Sequence, residues 1–386
     1  MKIVVFGLTV TSAWGNGHAT LWRALCRALD GQGHRVTFFE RNVPYYASHR
    51  DFESVPWCDV VLYDDWHDAR RRGERLLSDA DAGIVTSFCP DGPQAAELLL
   101  SSAACKVFYD LDSPVTLERL ARGERVAYLP DGGLGDFDLV FSYAGGPTLG
   151  ELATRLGARR VRPLYGSVDP AVHHPVPPSA AALCDLSYLG TYAADRQDAL
   201  EALFVEPARR RPDLRFVLAG SQYPQDFPWT GNIYYRSHMP PPDHASFFSS
   251  SRLTLNITRG PMAAAGYCPS GRLFEAAACG AAMVTDPWPG LEEFFEPERE
   301  VLVARGTSDV LDALERSPTE LQAIGSAARD RAVACHSADV RAREMVDTLQ
   351  SLPPAASACG ASEPRSRRAS ANGAGALRTS KNEVVT

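Results

Sequence analysis

The amino-terminal segment leaves this chain little choice of architecture. A β-branched, apolar run from Lys2 to Gly7 stops at glycine, apolar residues then recur at helical spacing from Ala19 to Leu29, and a second β-branched run covers Arg35 to Phe39. Strand, helix and strand in that order make a β-α-β unit, because a crossover of that length joins parallel strands. The same reading predicts strands at Val60–Tyr63, Ala82–Ser87, Lys106–Asp110, Leu139–Tyr143 and Arg160–Pro163. The first half is therefore expected to be doubly wound α/β.

At 386 residues the chain is longer than one core usually serves, which predicts two domains and a remainder. Tyr165–Ser179 is proline-rich and aperiodic, and it reads as a linker. The expected division is 1–165, a linker at 166–179, and a second α/β domain at 180–336. Strands are expected there at Leu186–Gly190, Arg215–Gly220, Ile233–Tyr235, Leu253–Ile257 and Ala281–Thr285, with a helix at Gln197–Glu206. Helix-forming sequence follows at 337–352. Residues 353–386 are rich in Ala, Ser and Arg without apolar periodicity, and read as a disordered tail.

Composition narrows the partners. A formal net charge of −8 offers no general attraction to a polyanion, so nucleic acid is not expected. Nine cysteines, an odd total without a Cys-x-x-Cys pair, suggest neither a zinc site nor a disulfide framework and fit a reduced cytoplasm. The apolar stretch Ile3–Val10 is too short to span a membrane and lacks a cleavage pattern, so no signal peptide or transmembrane segment is predicted. Nothing in the sequence sets the oligomeric state.

In doubly wound sheets ligands sit beyond the carboxyl ends of the strands, and the loops there hold the candidate residues. Gly15-Asn16-Gly17 precedes a helix whose free N–H groups suit an anionic or hydroxyl-rich ligand, with Asn16 and His18 able to add side-chain bonds; a plain β-α turn reads equally well. Dinucleotide binding is the rival here, since Glu40 ends the second strand where a ribose-binding acid would stand, but the third glycine of that fingerprint is missing. Asp110-Leu111-Asp112 places two carboxylates at another edge loop, where they could serve a sugar or a proton, or merely cap a helix starting near Pro114.

In the second half, Gly190-Thr191 leaves a strand and Arg196 offers a cation near a helix start, as a diphosphate site requires, although a surface arginine reads the same way. Ser270-Gly271-Arg272 opens an alanine-rich helix that Gly280 ends. Glu275 lies one turn in, where it could bind a vicinal diol or be a solvated acid.

Taken in order, Gly15-Asn16-Gly17-His18, Val168-Asp169, the segment from Tyr188 to Arg196 and the segment from Pro269 to Gly280 resemble the glycosyltransferases of the spore maturation protein CgeB-like group, relatives of the family 4 type. The resemblance runs from Met1 to about Gln350. It implies a GT-B fold of two Rossmann-like domains facing across a cleft, with a last helix, 337–352, crossing back to the first. It also implies donor contacts from Gly15, Asn16 and Gly17, diphosphate contacts from Gly190, Thr191 and Arg196, and a ribose contact from Glu275. Thr191 stands in place of the family's arginine, Arg196 in place of its lysine, and Tyr267 in place of its first acid, so Arg272 or Arg259 is expected to add charge. A catalytic histidine of the wider family falls where this chain has Asp110-Leu111-Asp112. Asp110, Asp112 and His18 are thus the catalytic candidates, and Tyr267, Ser270, Gly271 and Arg272 complete the expected binding set.

The function expected is metal-independent transfer of a sugar from a nucleotide-diphosphate sugar, with no cofactor, to a small-molecule acceptor. A non-catalytic nucleotide-sugar-binding protein and an NAD-dependent oxidoreductase are the alternatives.

Overall fold

A computed structural model describes residues 1–180 and 182–353. The opening β-branched run forms β1 (Lys2–Gly7), and the crossover helix α1 (His18–Gly31) returns the chain to β2 (Arg35–Arg41) in parallel register, Lys2 opposite Arg35. Continuing the pattern are β3 (Asp59–Tyr63), β4 (Ala82–Thr86), β5 (Cys105–Asp110), β6 (Leu139–Ser142) and β7 (Val161–Pro163). Their spatial order is β3-β2-β1-β4-β5-β6-β7, all parallel.

Apolar residues fill both faces of this sheet, which is why its strands read as unbroken apolar runs. Ile3 and Val5 enter one core with Trp22 and Leu25 of α1, while Val4 and Phe6 enter another with Ala95 and Leu99. Glycine supplies close approach at one point on β4, where a Cβ on Gly83 would meet the Leu99 side chain at 2.3 Å.

The second sheet joins β8 (Cys184–Leu189), β9 (Phe216–Ala219), β10 (Ile233–Arg236), β11 (Ser251–Asn256), β12 (Met283–Thr285) and β13 (Leu302–Val303), in the order β10-β9-β8-β11-β12-β13. Numbered within itself, that order repeats the first six strands of the other sheet. In each the order reverses beside the first strand, and ligands of such sheets bind at that switch point.

The expected helix at Gln197–Glu206 is longer and irregular. It starts as a 3-10 turn at Ala194–Arg196, relaxes to a π-turn over Glu201–Val205 and ends at Arg210. Pro207 lacks the N–H that would continue the regular ladder, which accounts for the slack turn before it. After the second sheet, α4 (Ala338–Gln350) packs Ala338, Ala342, Met345, Val346 and Leu349 into the core that contains β1 and α1. The tail expected to be disordered lies, from residue 354, outside the described residues. No described helix is long and apolar enough to cross a membrane.

Candidate active site

Loops at the carboxyl ends of both sheets line the space between them. The loop after β1 is held by Glu40, which is fully buried. Its carboxylate accepts from the Thr9 and Thr11 hydroxyls (3.0 and 2.6 Å) and from the Val10 and Thr11 N–H groups (2.7 and 3.0 Å). An acid so engaged has no capacity left for a dinucleotide ribose, which removes the residue that made that alternative attractive. Gly15 takes φ +66°, a value that favours glycine.

Asn16 does not offer its side chain to a ligand. Its amide donates to the Ser12 and Trp14 carbonyls, and its Oδ1 accepts the Ala19 N–H at 3.1 Å, so it orders the loop and the start of α1. Next to it, His18 places Nε2 3.0 Å from Asp112 Oδ2, while its Nδ1 is buried without a partner.

The two aspartates separate. Asp112 takes the cap position of α2 (Ser113–Ala121) without making a side-chain cap bond, and faces the cavity with His18. Asp110 is fully buried at the end of β5 and lies off the cavity wall; one oxygen accepts from the Asp112 N–H at 3.1 Å and the other has no partner. Burial pushes its carboxyl up to about 7, with the Asp112 charge adding to the rise against the hydrogen bonds it accepts.

Across the space, Gly190 and Thr191 leave β8, and Arg196 donates back to the Thr191 carbonyl while its Nε stays buried and unpartnered. The turn is tight: a Cβ on Gly220 would fall 1.9 Å from the Gly190 carbonyl oxygen. The Ser270 hydroxyl accepts the Arg272 N–H at 3.3 Å and caps α3 (Gly271–Ala278), which aims its free N–H groups into the space.

Tyr267 is displaced from the expected wall. Its ring packs between Gly146 and Gly290, its carbonyl accepts the Gly145 N–H at 2.9 Å, and it borders neither cavity described below. Through these contacts, and with φ +49°, it joins the two halves of the molecule.

Two cavities result. One of about 200 Å³ is bounded by Gly15, Asn16, Gly17, Gly190, Thr191 and Arg196, with Ser270 and Arg272. The other, about 260 Å³, holds His18, Asp112 and Glu275, and shares Gly17, Arg196, Ser270 and Arg272 with the first. Paired parallel sheets of one strand order, with their switch points facing a common cavity, find close counterparts among solved structures. The chain superposes on sucrose-phosphate synthase of Thermosynechococcus elongatus with a TM-score of 0.65 at 15% identity, covering 91% of this chain and 98% of that one. The fold is GT-B.

Other GT-B structures align as fully. Anabaena HepE in complex with UDP and glucose gives a TM-score of 0.63 at 12% identity over 91% of this chain and 100% of its own. Trehalose-6-phosphate synthase OtsA gives 0.64 at 12% identity over 92% and 100%. Residues 196–347 match the model of the glycosyl transferase-like family. No curated protein matches the chain by sequence.

In this GT-B cleft Glu275 is buried rather than solvated, as one of its sequence readings had it. Its Oε2 pairs with the Arg272 guanidinium and lies 3.3 Å from His244 Nδ1 and 3.9 Å from His173 Nε2. Burial raises its carboxyl, but Arg272 and the two imidazoles outweigh that and hold it well below the usual carboxylate range. The three ligating groups lie within 4.8 Å of one another, close enough for a metal, yet Arg272 already brings a cation to the shared oxygen. Arg259, the other reserve cation, lines the larger of these two cavities but is paired with Asp195 at 2.9 Å.

His173 and His244 escaped the sequence reading. His244 lies two residues after the three prolines Pro240–Pro242 and His173 sits within the supposed linker, so neither falls on a strand-end motif. The nearest available signal was the His173-His174 doublet inside an otherwise proline-rich stretch.

Proposed function

We propose that the protein is a glycosyltransferase that holds a nucleotide-diphosphate sugar in this cleft and passes the sugar to an acceptor hydroxyl, with the first sheet's loops on the acceptor side and the second sheet's on the donor side. The observation that carries this is the His18–Asp112 pair, 3.0 Å apart, in a cavity that also contains Arg196, Arg272 and the start of α3. The family match over residues 196–347 and the fold support it.

The chemistry follows from the two walls. Arg196, Arg272 and the N–H groups of α3 take up the charge that develops on the departing diphosphate, a positive set that needs no metal ion. On the opposite wall the acceptor oxygen attacks the anomeric carbon as its proton passes to the His18–Asp112 pair, and the electron pair of the breaking carbon–oxygen bond leaves with the diphosphate. The bond between Nε2 and the Asp112 carboxylate steadies the pair as it takes up that proton. Glu275 is placed for the ribose diol. We assign the protein to the CgeB-like group on its motifs, and to the reducing cytoplasm on its nine thiols without a paired spacing.

Nucleoside diphosphate release from a panel of nucleotide sugars, with and without candidate acceptors, tests the reading. Acceptor-dependent release is expected, and His18→Ala should lower kcat by about 100- to 10,000-fold with nucleotide affinity preserved. Nucleotide binding without turnover under any acceptor would make the protein a binding module instead.

A further inference from the structure

Three groups that each offer an electron pair converge beside the cleft, and their surroundings satisfy them only in part. His244 Nε2 lies 3.2 Å from the Met239 carbonyl, which can only accept, and Nδ1 lies 3.3 Å from Arg272 Nη1, which can only donate. The ring proton is therefore on Nε2, and Nδ1 presents a lone pair. That lone pair faces a carboxylate oxygen, Glu275 Oε2, at 3.3 Å. His173 Nε2 stands 3.9 Å from the same oxygen; the residue is 2% exposed, and neither of its ring nitrogens has a hydrogen-bond partner. Facing acceptors and a buried imidazole without partners are costly unless a cation lies among them.

Arg272 supplies that cation to two of the three groups. Its guanidinium donates to Glu275 Oε2 and to His244 Nδ1 but gives His173 nothing. It reaches in from the cleft, with a side chain 36% exposed against 7% for Glu275 and 3% for His173, so it can withdraw. Zinc bonds of about 2.0 to 2.1 Å set tetrahedral ligand atoms about 3.3 Å apart. The His244–Glu275 spacing already has that value, and His173 has to close by only about half an ångström. The bond from His244 Nε2 to a backbone carbonyl is the outer partner that metal-ligating imidazoles use. A third cavity, of about 360 Å³, is lined by both His173 and Glu275, which gives an ion an entry path and leaves space for a water as fourth ligand.

We propose that His173, His244 and Glu275 form a zinc site, in which the ion takes the place of the Arg272 guanidinium at Oε2 and a water completes the tetrahedron. Two imidazoles and one carboxylate suit zinc, whereas magnesium and calcium take oxygen ligands. Through His173 the ion pins the segment joining the two sheets to α3 and to the helix His244–Ser249, and it releases Arg272 toward the two cavities that this arginine lines. The site goes beyond the transferase reading and does not depend on it.

Titration of the full-length, metal-stripped protein with Zn²⁺, and with Co²⁺ as its coloured substitute, decides it. A single ion per chain is expected, with the visible bands of tetrahedral Co²⁺, without the near-ultraviolet band that a cobalt thiolate would give, and with no displacement by excess Mg²⁺. His173→Phe keeps a buried ring and should weaken the ion by about 100-fold or more, since loss of even a supporting partner can cost that much. Arg272→Ala removes the competing cation and should tighten the ion by about tenfold or more, a gain that a damaged fold cannot mimic. No bound ion, a thiolate band, an octahedral spectrum, unchanged affinity in His173→Phe or affinity not tightened in Arg272→Ala overturns the site. Nucleoside diphosphate release, measured separately, judges the transferase reading whichever way the metal titration falls.

Discussion

Asp110 carries a carboxylate with nowhere favourable to put its charge. Its folded value near 7 lies above the ordinary 3.8, so the folded state holds a proton that the unfolded state releases between those two pH values. The stability that this proton confers is complete below about pH 4 and is lost as pH rises through 7. Asp110→Asn keeps the shape and removes the titration. In urea unfolding, the variant's stability relative to the wild type should therefore rise between pH 4.5 and pH 8, by about 4 kcal/mol at most. A difference that stays flat with pH would show that the buried carboxyl is not the cause. Residue by residue, the sequence could nominate His18 and Asp112 because each stands at a strand-to-helix loop. It could not pair them across 94 positions, nor separate Asp112 from Asp110, since which of two aspartates faces a cavity depends on where β5 ends and α2 begins. His173 was invisible for a different reason: what makes it notable is a lack of partners in three dimensions.

Elements were more legible, because a strand buried on both faces announces itself as an apolar run. β1 is observed over the residues expected, and β4 and β5 differ by one residue at a single end. What the runs do not carry is order. That β8 to β13 repeat the arrangement of the first sheet left no trace in residue identity, because the repeat lies in crossover handedness and pairing rather than in side chains. The short β13 escaped notice, since two residues offer no periodicity. Among the helices, α4 has a packing role that can be measured. Met345 is fully buried in the core shared with α1 and β1, so Met345→Ala should lower the unfolding free energy by about 2 to 5 kcal/mol. The loss would appear as a shifted denaturation midpoint with an unchanged slope; a cost below 1 kcal/mol would mean that α4 is only loosely docked.

At the scale of the molecule, the two sheets are joined by more than the covalent link. Arg27 pairs with Asp169 at 3.0 Å, and Val168 exchanges backbone hydrogen bonds with the residues flanking Ser337 (3.0 and 2.8 Å), tying the joining segment to the approach of α4. Trp14 of the first half and His238 of the second bring their rings to 4.4 Å. Tyr267 is a further joint, made by a partly buried ring. Its ring fits between Gly146, at φ +55°, and Gly290, at φ +86°, and a Cβ on either glycine would fall within 2.4 Å of it, so the ring fills space that both halves leave for it. A transferase of this design depends on holding donor and acceptor walls in register, and misplacement by about 1 Å can cost about 100-fold in rate. Tyr267→Ala should therefore raise the radius of gyration in small-angle scattering and lower turnover by up to about 100-fold, with nucleoside diphosphate affinity close to that of the wild type, because Arg196, Arg272 and Glu275 all belong to one half. Tyr267→Phe keeps the ring between the glycines and should restore both properties. Unchanged scattering and turnover in Tyr267→Ala would show that the remaining joints hold the halves in register without it.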